Sequence, residues 1–168
     1  MQSYGIRDLN TYVHPYVVFG NTGRRGWNTF NPSKHGIRPL SIIAVVCGDK
    51  LVYGVWGDTN GDDGPRPMVG EASISLATEC YGQGMSGDRG HSATDVLYLA
   101  FTGDEAVPGV NGANWSANSV AEFEQSIQAL GDSLVARVTP DSGAERYVGI
   151  PALRLLVFIG GGMLWICL

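Results

Sequence analysis

Two apolar runs separated by only two residues constrain the fold more than any other part of the chain. SIIAVVC (41–47) and KLVYGVWG (50–57) are rich in β-branched and aromatic residues, and only Gly48 and Asp49 stand between them. A glycine-first, two-residue connection between such runs predicts a β-hairpin with a type II′ turn. A buried hairpin is a rigid platform for functional groups at its end. From that end, YGVWGDTNGDDGPRPMVGE (53–71) passes through a loop carrying Asp58, Asn60, Asp62 and Asp63 and closes on Glu71. Two carboxylates at the strand ends flanking one loop are placed to border one cleft, provided the strands are neighbours.

The rest of the chain reads as short strands in a loop-rich frame. HPYVVFG (14–20) is a strand bounded by Pro15 and Gly20, and 20–40 is loop, broken by Gly23, Gly26, Gly36, Pro32 and Pro39. EASISLAT (71–78) alternates Ala72, Ile74 and Leu76 against Ser73 and Ser75. This alternation predicts a half-buried strand, although Glu, Ala and Leu also favour helix. DVLYLAF (95–101) is apolar on both faces, as a central strand is. From Ser119 to Leu134 the period changes: Val120, Phe123, Ile127, Leu130 and Leu134 form one helical stripe, opened by a Ser119/Glu122 capping box. The predicted fold is therefore mainly β, compact and barrel-like, with one peripheral α-helix. With 168 residues, 24 glycines and 16% charged residues, a single loop-rich β domain suits the chain better than a helical bundle.

Charge is distributed unevenly. Residues 1–55 carry +4, residues 56–105 carry −7 and residues 106–168 carry −2, within a net charge of −5. A concentrated negative field favours a cationic ligand or a metal and disfavours nucleic acid. Cys47 and Cys80 each end an apolar segment and are either a disulfide or two buried thiols; with Cys167 they form no zinc spacing. The opening MQSYGIRDLN lacks the basic-then-apolar pattern of a secretory leader. The final nineteen residues, 150–168, carry one charge, Arg154. Pro151, Arg154 and Gly160 to Gly162 weaken a membrane-spanning reading. The expected division is one domain over 1–148 and an apolar tail over 149–168 lying outside the fold, with a marginal membrane anchor and a buried terminal strand as the alternatives.

Two chemistries compete for the acidic stretch. Asp58, Asn60 and Asp62 match the first, third and fifth positions of an EF-hand, but Asp63 stands where glycine is needed and Val69 where a bidentate Glu belongs. Calcium binding of that kind is not expected. The alternative is a glycosidase pair, Asp58 and Glu71, set against the plain reading of a turn-forming Asp and a solvated Glu. Asn60, Asp62 and Asp63 are candidate substrate contacts. Trp56 and Tyr53 are candidate sugar platforms, for which core packing is the simpler role. His91 is expected to cap Asp95.

GVWGDTNGDDG, GEASISLAT, GHSATDVLYLAFTG, AVPG with FEQSIQALGDSLV, and the lead-in GIRDLNTYVHPYVVFGN together resemble the fungal chitosanases of glycoside hydrolase family 75, from about Tyr4 to Val138. The resemblance implies a six-stranded barrel of the double-psi kind and inverting endo-hydrolysis of chitosan, the β-1,4-linked polymer of glucosamine. It also implies an extracellular enzyme, here expected to act as a monomer on chitosan, without nucleic acid or membrane. Its essential carboxylates fall on Asp58 and Glu71, read here as general base and general acid. No metal or organic cofactor is required. The −7 window suits a polymer of ammonium groups, and Asp62 and Asp63 would help hold one acid protonated by like-charge repulsion. Members of that family carry a leader and an N-terminal portion ahead of this lead-in, and the tail after about Tyr147 departs from their pattern. The chain expressed alone is accordingly expected to fold poorly or act weakly. The competing class is a non-catalytic acidic module that binds a polycation or a metal ion.

Overall fold

A computed structural model of the chain describes residues 1–23, 26, 29–61 and 69–138, together with the backbone of 154–159 and 162–167. Its strands are β1 (Tyr16–Asn21), β2 (Ile42–Cys47), β3 (Lys50–Asn60), β4 (Glu71–Ala72), β5 (Val96–Ala100), β6 (Arg154–Ile159) and β7 (Gly162–Cys167). The helices are α1 (Ile74–Tyr81) and α2 (Val120–Val135). The strands form one sheet in the order β4-β1-β3-β2-β5-β6-β7.

The hairpin forms as the sequence predicts. β2 and β3 pair antiparallel from Ile42↔Val55 to Cys47↔Lys50. Gly48 has a φ of +61° and Asp49 does not have a positive φ, the pattern of a type II′ turn. Both faces of the hairpin are covered. Ile43, Val45, Val52 and Trp56 join Val17, Phe19 and Leu76 in one core. Ile42, Ala44, Tyr53 and Val55 join Phe101, Trp115, Phe123, Ile127 and Leu134 in the other. β5 pairs antiparallel with β2, Val45 opposite Tyr98, and holds the central position expected of it.

β3 runs three residues beyond its predicted end and takes Asp58 and Asn60 out of the loop into the strand. The cause is non-local. β1 lies parallel to β3, with Asn21 opposite Asn60, and the extension is held by Thr22 N–H donating to the Asn60 carbonyl at 3.0 Å.

The predicted strand over 71–78 is corrected. Only Glu71 and Ala72 pair, as β4 against β1, and Ile74 to Tyr81 is helix α1. The alternation misled because the serines do not face water. Ser73 and Ser75 are each 3% exposed and their hydroxyls lie 2.9 Å apart. The Ser73 hydroxyl caps the helix by accepting from Leu76 N–H at 3.2 Å, while Thr11 accepts from the N–H groups of Ile74 and Ser75. At its other end α1 is tied to β2 by a Cys47–Cys80 disulfide.

α2 begins at the predicted cap. Ser119 Oγ accepts from Glu122 N–H at 3.2 Å, and the Glu122 carboxylate returns to Asn118 N–H at 2.8 Å. Phe123, Ile127, Gly131 and Leu134 are buried against the sheet. Gly131 admits the Tyr53 ring so closely that a Cβ there would stand 2.7 Å from it. Tyr53 hydroxyl donates to Asp132 at 2.7 Å, so Tyr53 is a core residue locking α2 to the hairpin.

Glu124 on α2 lies partly buried in a cavity of about 420 Å³, which Lys50, Glu79 and Gln128 also line. Burial, and then the Glu79 charge, push its carboxyl up to about 7. The folded state therefore binds a proton that the unfolded chain releases near pH 4.5. This contribution is complete below that pH and is lost as pH rises through about 7. Glu124→Gln is expected to leave the urea midpoint unchanged at about pH 4 and to raise stability by on the order of 1 kcal/mol at about pH 8, after allowance for partial exposure.

The sheet is curled. Tyr98 on β5 and Gly70 beside β4 are separated in sheet order by three strands, yet a Cβ on Gly70 would lie 3.1 Å from the Tyr98 ring. The result is a mainly β, barrel-like domain with α2 on its periphery. β6 adds to the β5 edge, Tyr98 opposite Phe158, and β7 pairs with β6. The apolar tail thus contributes strand backbone to the sheet, and its other residues lie outside those described. Among the described residues no helix is long and apolar enough to cross a membrane.

Candidate active site

β1 is the axis of the candidate site. Asp58 on β3 and Glu71 on β4 are not on neighbouring strands; β1 separates them. Both are in register with the same residue, Val18, Asp58 on its parallel side and Glu71 on its antiparallel side. Two inter-strand spacings put their backbones roughly 10 Å apart. Both are exposed, whereas the neighbouring Val17 and Phe19 are fully buried.

Local structure fixes the backbone at both positions and holds the Asp58 carboxylate. Past Trp56 the β1–β3 register shifts by one residue around Gly57, where a Cβ would stand 2.7 Å from Tyr16 and Leu9. Glycine at 57 lets the strand kink against the lead-in. The Asp58 carboxylate accepts from Thr59 N–H at 2.7 Å, and its carbonyl accepts from Trp56 Nε1–H, also at 2.7 Å. Trp56 is 8% exposed and packs in the core beneath this turn. On the other side, Gly70 N–H donates to the Val18 carbonyl at 2.9 Å and Ser73 N–H to that of Tyr16 at 2.9 Å, so β4 is clamped at both ends.

Asn60 sits two residues along β3 from Asp58, at the end of the β1 pairing. Asp62 and Asp63 lie outside the described residues. His91 does cap Asp95, Nε2 to Oδ1 at 2.6 Å, with its ring stacked on Tyr81 at 3.9 Å. Among the described residues no three His, Cys, Asp or Glu side chains gather as a metal site would.

Sequence reasoning missed Tyr98. Its phenol is pushed up to about 12, first by burial and then by the charges of Tyr81 and Glu71, so it is uncharged beside Glu71 at neutral pH. Nothing in the apolar run DVLYLAF distinguishes this residue, because its role depends on the curl of the sheet. Gly70, with a φ of +94°, is where the ring meets the β4 edge. Gly70→Ala forces both a left-handed alanine and a close contact with Tyr98. It is expected to cost about 1–3 kcal/mol. Urea melts of the variant beside the parent chain measure this.

The model of a known family, described as fungal chitosanase of glycosyl hydrolase group 75, matches residues 1–137. The chain belongs to this family. An endo-chitosanase of Aspergillus oryzae is 54% identical over 138 residues, 81% of this chain and 54% of that protein. An endo-chitosanase of Aspergillus fumigatus is 48% identical over 137 residues, 81% of this chain and 55% of the relative. A more distant relative, endo-chitosanase C of Aspergillus oryzae, is 35% identical over 128 residues, 76% of this chain and 31% of that protein. The chain therefore spans about half the length, or less, of these relatives. No solved structure matches it. Asp58, Glu71, Asn60 and the clamped β4 edge all fall inside the part shared with the group 75 chitosanases.

Proposed function

We propose that this chain carries the catalytic carboxylates of an extracellular endo-chitosanase, which hydrolyses β-1,4 glucosamine linkages with inversion. The observation that carries this reading is the shared register of Asp58 and Glu71 on either side of Val18, with both side chains exposed. Backbones roughly 10 Å apart leave room for a sugar and a water between the carboxyls, in keeping with the roughly 6.5–9.5 Å carboxyl separation of inverting glycosidases. Glu71 acts as general acid on the leaving oxygen, and Asp58 as the base that removes a proton from the attacking water. The endo-chitosanase names of the relatives supply the substrate class. The negative segment around these residues supports it, since chitosan is cationic near or below neutral pH. The Cys47–Cys80 disulfide supports an oxidising, extracellular setting.

The test is chitosan depolymerisation. Soluble chitosan incubated with the full chain, at a protein concentration and over a time that offset the weak activity expected of it alone, is expected to lose viscosity well before reducing ends accumulate in proportion, the mark of internal cleavage. No new reducing ends, with retained binding to chitosan, would favour the non-catalytic polycation module instead.

A further inference from the structure

His14 is a buried titratable group that the proposed chemistry does not use; it is 4% exposed. Both ring nitrogens are committed to backbone groups. Asn10 N–H donates to Nδ1 at 2.7 Å, which leaves that nitrogen no room for a proton of its own. The proton therefore sits on Nε2, which donates to the Trp115 carbonyl at 3.1 Å. The ring stands edge-on to Phe123 of α2, with centroids 4.9 Å apart. One neutral imidazole thus joins the lead-in to the segment before α2 and to α2 itself.

The turn that His14 closes braces both carboxylate-bearing strands. The N–H groups of Val13 and His14 return to the Asn10 carbonyl at 3.0 and 2.8 Å. Within this turn, the Thr11 hydroxyl accepts from Ile74 N–H at 3.1 Å and the Thr11 carbonyl from Ser75 N–H at 2.8 Å, just beyond Glu71. Leu9, directly before the turn, packs against Gly57 beside Asp58, where a Cβ would stand 2.7 Å from it. Pro15, directly after the turn, accepts through its carbonyl from Val55 N–H of β3 at 3.1 Å.

We propose that His14 is an acid-sensitive positioning residue, which braces the Asp58 and Glu71 strands while neutral and releases the 10–14 turn when protonated. The catalytic consequence rests on the chitosanase reading above; the release itself does not. A proton on Nδ1 would face the Asn10 N–H, donor against donor, and leave a buried cation with the Trp115 carbonyl as its acceptor. Charged groups on the elements packed against the ring are engaged elsewhere. On the lead-in, Arg7 is exposed and Asp8 accepts from Leu9 N–H. Before α2, Asp104 pairs with Arg38 and Glu105 with Arg137. On α2, Glu122 accepts from Asn118 N–H, Asp132 accepts from the Tyr53 hydroxyl, and Glu124 lines the cavity with Lys50 and Glu79.

Burial accordingly holds the imidazole below its ordinary 6.5, against the smaller opposing pull of the Trp115 carbonyl. The unfolded chain takes up a proton near pH 6.5 that the folded chain resists. This contribution to stability is therefore complete above that pH and is lost as pH falls below it. Its sign is opposite to that of Glu124, so comparison with a His14 variant isolates it.

His14→Gln supplies a side chain that stays uncharged and keeps a hydrogen-bonding amide. Between about pH 7.5 and about pH 5, the parent's folding equilibrium constant is expected to fall relative to the variant's by up to about 30-fold, the limit set by protonation of the unfolded chain. On a glucosamine hexamer, the variant-to-parent ratio of kcat is expected to rise over the same range while the ratio of KM stays constant. A histidine that only stabilised the fold would leave both ratios unmoved wherever the two chains are fully folded. Amide exchange in the ¹⁵N-labelled parent, corrected for its intrinsic pH dependence, gives a reading that needs no variant. Protection of Ile74 and Ser75 N–H is expected to drop towards about pH 5 while that of Val45 in the hairpin holds. Parallel stability curves, a kcat ratio that does not change with pH, or steady protection at Ile74 and Ser75 would each overturn the proposal. Loss of that protection in acid without cleavage at any pH removes the hydrolase and leaves the latch. Cleavage with an unmoving kcat ratio removes the latch and leaves the hydrolase.

Discussion

Glu71→Gln and Asp58→Asn are each expected to lower chitosan turnover by roughly 10²–10⁴-fold relative to the parent chain, the usual contribution of a positioned acid or base. Each substitution keeps the shape of the side chain and removes only its capacity to transfer a proton. Both residues are exposed, and in Asp58→Asn the new amide oxygen would still accept from Thr59 N–H, so stability should stay within about 0.5 kcal/mol. Initial rates of reducing-end release, read beside urea melts, separate chemistry from folding. An unchanged rate in either variant removes that residue from the mechanism. Asp62→Asn belongs in the same series. If it abolishes turnover while Asp58→Asn does not, the base lies in the following segment and the β1-centred pairing is wrong.

The second large effect concerns the disulfide. Cys47 ends β2 and Cys80 lies near the end of α1, with a sequence separation of 33. Closing a loop of that length restricts the unfolded chain enough to contribute about 3.5–4 kcal/mol. The double variant Cys47→Ser, Cys80→Ser is expected to lower stability by about that amount. Its turnover should fall as well, because the bond anchors the helix that follows directly from β4 and Glu71. Denaturant midpoints with and without reductant measure the first effect. A parent chain whose midpoint is unaffected by reductant would contradict it.

These expectations draw on features that were unequally visible in the sequence. The β2–β3 hairpin was legible because its information is local: two β-branched runs and a glycine-first turn. α2 was legible for the same reason, from its stripe and its cap. α1 was not, because the pattern of 71–78 is decided by tertiary contacts. Ser73 and Ser75 are satisfied by Leu76, Thr11 and each other, so their burial is invisible to an alternation rule. The extension of β3 through Asp58 to Asn60 also depends on a partner, β1, which lies far earlier in the chain. The carboxylate pair itself was named from residue types and from the resemblance. That Asp58 and Glu71 share a register with Val18 was beyond reach, since nothing local announces that β1 inserts between β3 and β4. Tyr98 lay hidden for a similar reason, its contact with the Gly70 edge arising only when the sheet curls.

The stereochemistry of cleavage tests the central claim most directly. Hydrolysis of a glucosamine hexamer is followed by ¹H NMR within the first minutes, before the new reducing end mutarotates. The account predicts that the α-anomer appears first, as it must when a base and an acid on either side of β1, Asp58 and Glu71, drive a single displacement by water at a β-linkage. Initial release of the β-anomer would mean a covalent intermediate and carboxyls only about 5 Å apart, and would contradict it.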